Sequence, residues 1–398
     1  MTLFLIFTCL IMVGIVNIIL QNLAIRSSIP KKKILPESDF LAGAMTGKKN
    51  VSPQSSSTGF CPPISILKPL KGLDDDLFDN LVSFCEQDYP DYEIIFCLEE
   101  VNDPALKLAE KVKKTYPHKK ISIVIKEDDY ALNPKVNNLI AAYRKAQFPY
   151  FLISDSDVRV DKDYLAEIIK HMEDPRVGLV SNLIRGIGSR TIGALLENLH
   201  LNSFVIGNVA LLTTFLKIPV VVGKSMLMRK KTFEEIGGFE AVKNVLAEDF
   251  VIGQRMYKKG AQIITSGHVI NAVNRSRTLK QFLKRHARWG KLRWKLGVIG
   301  YVAEILSNAG FIAFLSLFVL RPITLSISLA AAVFCLKIIG DYALGKRIRS
   351  AHRFFHYLLS PLKDIIIGFI WFVPFISGRV IWRRHKYKIT KGSVLVPL

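Results

Sequence analysis

The chain has 398 residues, half of them hydrophobic, and its mean hydropathy is positive. Soluble domains are seldom that apolar, so the composition points to membrane contact. A net charge of +22 suits anionic lipid or anionic small substrates, whereas nucleic-acid binding leaves the apolar runs unexplained and no nucleic-acid fold signature is present.

Leu3 to Leu20 is apolar and uncharged, long enough to span a bilayer. It lacks the basic start and small-residue cleavage site of a signal peptide. Positive charge follows it, at Arg26 and Lys31–Lys33, which predicts an anchor over residues 1–25 with the following residues in the cytosol. Residues 26–60 are basic and then rich in Ser, Thr and Gly, the composition of a flexible linker over Gly43–Gly59. The five cysteines are widely spaced, without a CxxC pair, and read as reduced thiols rather than a disulfide framework or zinc site.

From residue 61 to 274 short apolar runs alternate with amphipathic stretches. Ile64–Leu67, Glu93–Leu98, Ile121–Ile125 and Phe151–Ser154 are predicted strands; Asp76–Glu86, Pro104–Tyr116 and Val136–Lys145 are the helices between them. The alternation predicts an α/β domain with a mostly parallel sheet, whose ligands bind beyond the carboxyl ends of the strands. Leu199–Val222 is apolar but carries His200, Asn202, Asn208 and Lys217. It reads either as buried helices or as an interfacial segment meeting lipid.

Residues 275–295 hold nine Lys or Arg and no acid, as in a helix lying on anionic lipid. Val298–Leu320 and Pro322–Ile339 follow as a membrane hairpin over residues 296–342, with Glu304 and Lys337 expected at its boundary or facing protein. In residues 343–398, Ile365–Ile376 is short and broken by Pro374, which favours a re-entrant or interfacial form before a basic cytosolic tail.

Three constellations can carry chemistry. Asp155 and Asp157 in Ser154-Asp-Ser-Asp157 follow an apolar run, and two carboxylates at that spacing can reach one divalent ion (Mg2+ or Mn2+) bridging to a diphosphate; many short D-x-D sequences are only capped turns. Glu248 and Asp249 open a helical stretch, where acids also occur simply to complement the helix N-terminus. Arg288 in Arg285-His-Ala-Arg-Trp289 can clamp a diphosphate beside the apolar wall of Trp289.

Together and in this order, these elements resemble the inverting glycosyltransferases of GT-A fold with a Q/R-x-x-R-W motif. More closely, the chain resembles the ceramide glucosyltransferase family. The resemblance is carried by Ile64-Ser-Ile-Leu-Lys-Pro-Leu-Lys-Gly72, Asn133-Pro-Lys-Val-Asn-Asn138, Ser154-Asp-Ser-Asp-Val-Arg-Val160, Gly223-Lys-Ser-Met-Leu-Met-Arg229, Gly237-Gly-Phe239, Leu246-Ala-Glu-Asp249 and Arg285-His-Ala-Arg-Trp289. It implies a GT-A (Rossmann-like) cytosolic domain with transmembrane helices at both ends, a UDP-sugar donor, a divalent cation, and a lipid acceptor such as ceramide. Asp249 would be the catalytic base. Asp155 and Asp157 would hold the metal; Pro69, Lys71, Glu100, Lys135 and Asp155 would bind the donor; Arg285, Arg288 and Trp289 would frame diphosphate and acceptor. The chain departs from the family pattern after the second strand, where Glu100 stands in place of an Asp and Asp103 is an alternative contact for the nucleotide. Hopanoid transferases, processive polysaccharide synthases and non-catalytic lipid-binding scaffolds are rival expectations. Product length separates the synthases, and the complete set of carboxylates argues against a scaffold.

Overall fold

The computed structural model describes residues 2–29, 34–46, 59–382 and 385–398. Most of the Gly43–Gly59 linker, and the basic residues Lys31–Lys33 and Arg383–Arg384, lie outside them. The chain forms two compact units: Leu35–Ile184 with Lys217–Val273, and Met1–Ile34 with Arg185–Leu216 and Asn274–Leu398.

The first unit is built on an eight-stranded sheet: β1 Ile64–Pro69, β2 Tyr92–Leu98, β3 Lys120–Ile125, β4 Tyr150–Ser154, β5 Val158–Arg159, β6 Val177–Ile187, β7 Ser225–Arg229 and β8 Gln262–Val273, in the order β3-β2-β1-β4-β7-β6-β8-β5. The predicted strands and helices all appear within a few residues of their expected ends. β1, β2 and β4 are buried along their whole length. That explains why they are largely apolar, since a parallel sheet covered on both faces needs no polar face.

β1 pairs in parallel with β2 and β4, and β2 with β3. The expectation of a mostly parallel sheet stops there. β7 runs antiparallel to β4 and to β6, and β5 antiparallel to β8. Beyond β4 the regular strand–helix alternation ends, and antiparallel pairing needs no crossover helix. The β4–β7 register sets Ser154 opposite Ser225, so the start of β7 lies beside the carboxyl end of β4. Under the sheet, Tyr143, Phe151, Phe233 and Phe239 pack edge to face at centroid distances of 4.8 to 5.5 Å. Each of the buried phenylalanine rings contributes about 1.5–3 kcal/mol by burial.

The second unit is mainly helical. Among the described residues, four helices are long and apolar enough to cross a membrane: Thr2–Ser28, Ile192–Thr214, Ile323–Arg347 and Phe354–Ile376. Val298–Leu306 and Ala309–Val319 form a fifth candidate bent by 65°, where the sequence suggests one arm of a hairpin over Val298–Leu320. Asn308 makes the break: its Oδ1 accepts from Phe311 N and its Nδ2 donates to Asp364 O, so it caps a new helix and ends the old one.

Ile192–Thr214 is largely buried, and two of its asparagines have internal partners. Asn202 exchanges two hydrogen bonds with the backbone of Gly186, at 2.7 and 2.9 Å, around a π-helical turn at Leu201–Val205. Asn208 accepts from Gln21. This favours the buried-helix reading for Leu199–Thr214; beyond the helix, Phe215, Leu216 and Ile218 are exposed. Glu304 faces Arg293 at 2.7 Å, and Lys337 joins Asp341, Lys363 and Asp364 in a closed ring of ion pairs. Both therefore face protein, the cheaper of the alternatives for a charge among apolar helices. The chain closes with a three-stranded antiparallel sheet, β9 Arg379–Trp382, β10 His385–Ile389 and β11 Leu395–Pro397, which the sequence pattern does not announce.

Candidate active site

The carboxyl ends of β1 and β4, the start of β7 and the start of the helix Glu248–Lys258 bring together a charged cluster in the first unit. Asp155 follows β4 directly. Lys135 bridges Asp155 Oδ1 at 2.8 Å and Glu248 Oε1 at 2.9 Å. Asn133 holds this bridge in place. Its Oδ1 accepts from the Lys135 and Val136 amides to cap the helix Pro134–Lys145, and its Nδ2 donates to Val245 O and Glu248 Oε2. One short motif thereby ties the helix carrying Lys135 to the one carrying Glu248 and Asp249.

Lys224 stands in the Gly223–Arg229 motif, where the sequence assigns it no role. Its Nζ lies 2.5 and 2.6 Å from the two oxygens of Asp157 and 3.8 Å from Asp155. Lys68, in the middle of a buried strand, donates to Asp155 O at 2.8 Å and lies over the Phe84 ring. A lysine inside an apolar run is the one signal that could have flagged it. Asp161, Asp163 and His268, also not singled out, bring one possible ligand atom each within 4.8 Å of one another.

The cluster counts Asp74, Asp155, Asp157, Glu248 and Asp249 against Lys68, Lys135 and Lys224, an excess of carboxylates. Burial raises the Asp155 pKa, but Lys135 and Lys224 overcome it and hold the group below its ordinary value. Burial likewise opposes charge on Lys135, yet Asp155 and Glu248 outweigh it and its pKa is raised. Lys68 is the opposite case: burial lowers it to about 7 despite Asp155 and Asp157. Asp74 is raised by burial and by Asp157, with Asp155 adding to the effect. Carboxylate oxygens crowded enough to repel one another suit a hard divalent cation. Asp155 and Asp157 would fit such an ion once Lys224, which here stands on Asp157, turned aside.

Asp249 opens the helix Glu248–Lys258. Its Oδ1 accepts from Phe250 N, and its Oδ2 lies against the backbone of Gly223, where an added Cβ would stand 2.4 Å away. Burial and then Glu248 push its pKa up to about 6. A carboxylate so tuned is ionised near neutrality yet can hold a proton, which is what a general base requires.

Pro69 ends β1, and Lys71 follows it with Nζ 2.7 Å from Glu100, 3.1 Å from Glu99 and 3.5 Å from Asp103. Asp103 is buried and accepts from the Gly72 and Ala105 amides, whereas Glu100 is exposed.

Arg285, Arg288 and Trp289 lie in the second unit, on the helix Leu279–Leu296. Thr278 and Gln281 close a capping box at its start, a T-x-x-Q signal present in the sequence. Arg285 Nε lies 3.3 Å from the buried Glu197, and its guanidinium stacks over Trp289 at 4.5 Å. His286 Nε2 lies 3.1 Å from the other Glu197 oxygen.

The profile of glycosyl transferase family 21 matches residues 34–395. Ceramide glucosyltransferase 1 of Caenorhabditis elegans is 26% identical over 345 residues, covering 83% of this chain and 72% of that one. Ceramide glucosyltransferase of Komagataella phaffii is 40% identical over 101 residues, 24% of this chain and 20% of that one. Among solved structures, a mannosyltransferase of Pyrobaculum calidifontis in complex with GDP-Man and Mn2+ aligns with 91% of this chain and 98% of its own, at 17% identity and a TM-score of 0.49.

Proposed function

Since the chain belongs to glycosyl transferase family 21 and is a glycosyltransferase, we propose that it moves one hexose, glucose foremost, from a UDP-sugar to the primary hydroxyl of ceramide, with inversion at the anomeric carbon. The observation that carries the reading is Asp249: a carboxylate with a pKa near 6, fixed by Phe250 N and Gly223, beside the lysine-bridged carboxylates of a candidate donor site. The naming of relatives across 83% of the chain supports the acceptor.

In this reading the donor lies over the ends of β1 and β4. Pro69, Lys71 and the exposed Glu100 border the nucleotide; Asp103 is already taken up by two amides. Lys135 keeps Asp155 ionised and oriented. Asp155 and Asp157 hold a divalent cation, which when bound neutralises charge on the diphosphate. Asp249 takes the proton of the lipid hydroxyl as that oxygen bonds to C1 of the sugar. The C1–O bond to the diphosphate breaks, and UDP leaves with the electron pair. Arg285, Arg288 and Trp289 frame the diphosphate and acceptor.

The apolar helices anchor the chain, with the catalytic unit in the cytosol, and the basic helix Leu279–Leu296 rests on anionic lipid. Cationic side chains near such a surface contribute ~1 kcal/mol each. A lipid acceptor has almost no aqueous concentration, so an enzyme acting on it works at the membrane.

The test is incubation of the full chain in nanodiscs with ceramide, Mg2+ or Mn2+ and a panel of UDP-sugars, read by mass spectrometry. A single-hexose ceramide that drops by ~10²–10⁴-fold in Asp249→Asn is expected. Transfer only to a hopanoid or another polyol lipid refutes the ceramide acceptor. Near-normal turnover in the variant refutes the base.

A further inference from the structure

The second unit contains a cavity that the chemistry above does not use. His200, His286, Arg293, Glu304 and Asp364 line it together with apolar side chains such as Ile367. Its charges are internally balanced. Arg293 pairs with Glu304 at 2.7 Å, and Asp364 with Lys363 and Lys337 at 3.1 and 3.5 Å. An anionic or cationic headgroup would therefore bring an uncompensated charge into an apolar surrounding, which is costly.

Two buried polar atoms of residues that line it are different. His200 and His286 are buried, 3% and 1% exposed, and in each ring Nδ1 has no hydrogen-bond partner. Buried polar atoms in proteins are almost always paired, and an orphan costs ~1–3 kcal/mol. The two rings stand 4.8 Å apart, edge to face. His286 Nε2 lies 3.1 Å from the carboxylate of Glu197, and burial lowers the His286 pKa although Glu197 opposes it. In the neutral ring Nε2 then donates to Glu197, which leaves Nδ1 as an acceptor. The cavity thus asks for a neutral molecule that donates a hydrogen bond and has an apolar body.

We propose that this cavity binds the polar end of a neutral lipid bearing hydroxyl and amide donors, with His286 Nδ1 accepting one of those hydrogen bonds. Resting on the function proposed above, that lipid is the acceptor, and its chains lie along the apolar wall that includes Ile367.

The full chain in phosphatidylcholine nanodiscs is loaded with a ceramide carrying a diazirine beside its amide, photolysed, digested and mapped. The expected label lies on the peptides carrying His286 and Ile367. Unlabelled ceramide should suppress it about tenfold more effectively than phosphatidic acid, the value of roughly one buried hydrogen bond. His286→Asn, which keeps an acceptor, should retain more label than His286→Leu. Ile367→Trp and, independently, Ile370→Trp should fill the cavity and remove the label, so that misfolding of one variant does not decide the matter. Label confined to other peptides, or equal competition by phosphatidic acid, overturns the proposal. Sugar transfer is read on the same samples. Label in the cavity without any transfer to ceramide refutes the acceptor named above and upholds the cavity; transfer with the label elsewhere does the reverse.

Discussion

Asp249 and Gly223 touch so closely that no side chain fits between them: a Cβ on Gly223 would stand 2.4 Å from Asp249 Oδ2. The glycine therefore sets where the carboxylate lies. Gly223→Ala should swing Asp249 aside, because the end of a side chain yields more readily than backbone. A displacement of about 1 Å at a reacting group can cost ~10²-fold in rate. The expected outcome is a kcat about 10- to 100-fold lower with an unchanged melting temperature. Equal turnover in the alanine variant would show that the contact does not position the base.

The same carboxylate links activity and stability to pH with opposite signs. Its folded pKa is raised to about 6, against roughly 3.9 in an unfolded chain. Folding thus favours the protonated form. The ionised form costs stability in full above about pH 6, and the cost fades as pH falls through 6 toward roughly 4. A base needs the ionised form, so kcat/KM should fall on the acid side of about pH 6. Asp249→Asn should melt higher than the natural chain at pH 7.5, and the gap should narrow toward pH 4. A gap that widens on acidification contradicts the assignment.

Lys135 and Lys71 both meet several carboxylates, but in different surroundings. Lys135 is the more enclosed, bridging Asp155 and Glu248, and Lys135→Met leaves both acids without it. Breaking an enclosed pair from one side costs ~3–5 kcal/mol. Lys71 is a third exposed and meets Glu100 in water, where a pair contributes ~0–1 kcal/mol. Chemical denaturation of the two methionine variants should show a large loss for Lys135 and little for Lys71. Lys71→Met should instead weaken UDP binding.

Much of this site was legible in the sequence, and the missing parts share a cause. The strands β1 to β4 were readable because each is an apolar run bounded by turn residues, and the acids after β4 followed. β6 and β8 were not, because buried polar residues such as Ser181, Asn182, His268 and Asn271 interrupt their apolar residues. Asn182 donates to His268 O and accepts from Ser225 inside the sheet, which hides the hydrophobic pattern. Without β6 and β7 the antiparallel half is invisible. So is Lys224, which reaches Asp157 only because the start of β7 lies beside the end of β4. Likewise the bend at Asn308 depends on Asp364, a partner far along the chain that no local pattern indicates.

Removal of divalent ions should separate the roles of the two D-x-D acids from that of Lys224. Chelation should abolish transfer, and Mg2+ or Mn2+ should restore it. Asp157→Asn should raise the ion concentration needed for half-restoration about tenfold or more, through loss of one charged ligand. Lys224→Met removes the ammonium that now stands on Asp157, so Mn2+ binding without nucleotide, followed by electron paramagnetic resonance, should tighten. Weaker Mn2+ binding in that variant would mean that Lys224 supports the ion site rather than competing for it.

Helix packing in the second unit gives a prediction independent of catalysis. Gly14 lies on the helix Thr2–Ser28, and a Cβ there would stand 2.6 Å from Ala309 Cβ and 2.8 Å from its backbone. Among apolar helices in lipid, such close backbone contact replaces the hydrophobic drive that water supplies elsewhere. Gly14→Ala should destabilise by ~1–3 kcal/mol through overpacking. Ala309→Gly should restore part of that loss, because it removes the Cβ but not the backbone atoms, and a double-mutant cycle should show the coupling. Gly300 is the contrast: it is also helical, yet a Cβ there meets nothing within 4 Å. Gly300→Ala should therefore stabilise by up to ~1 kcal/mol from helix propensity alone. If both glycine-to-alanine changes act alike in thermal melts, helix propensity rather than the contact with Ala309 governs Gly14.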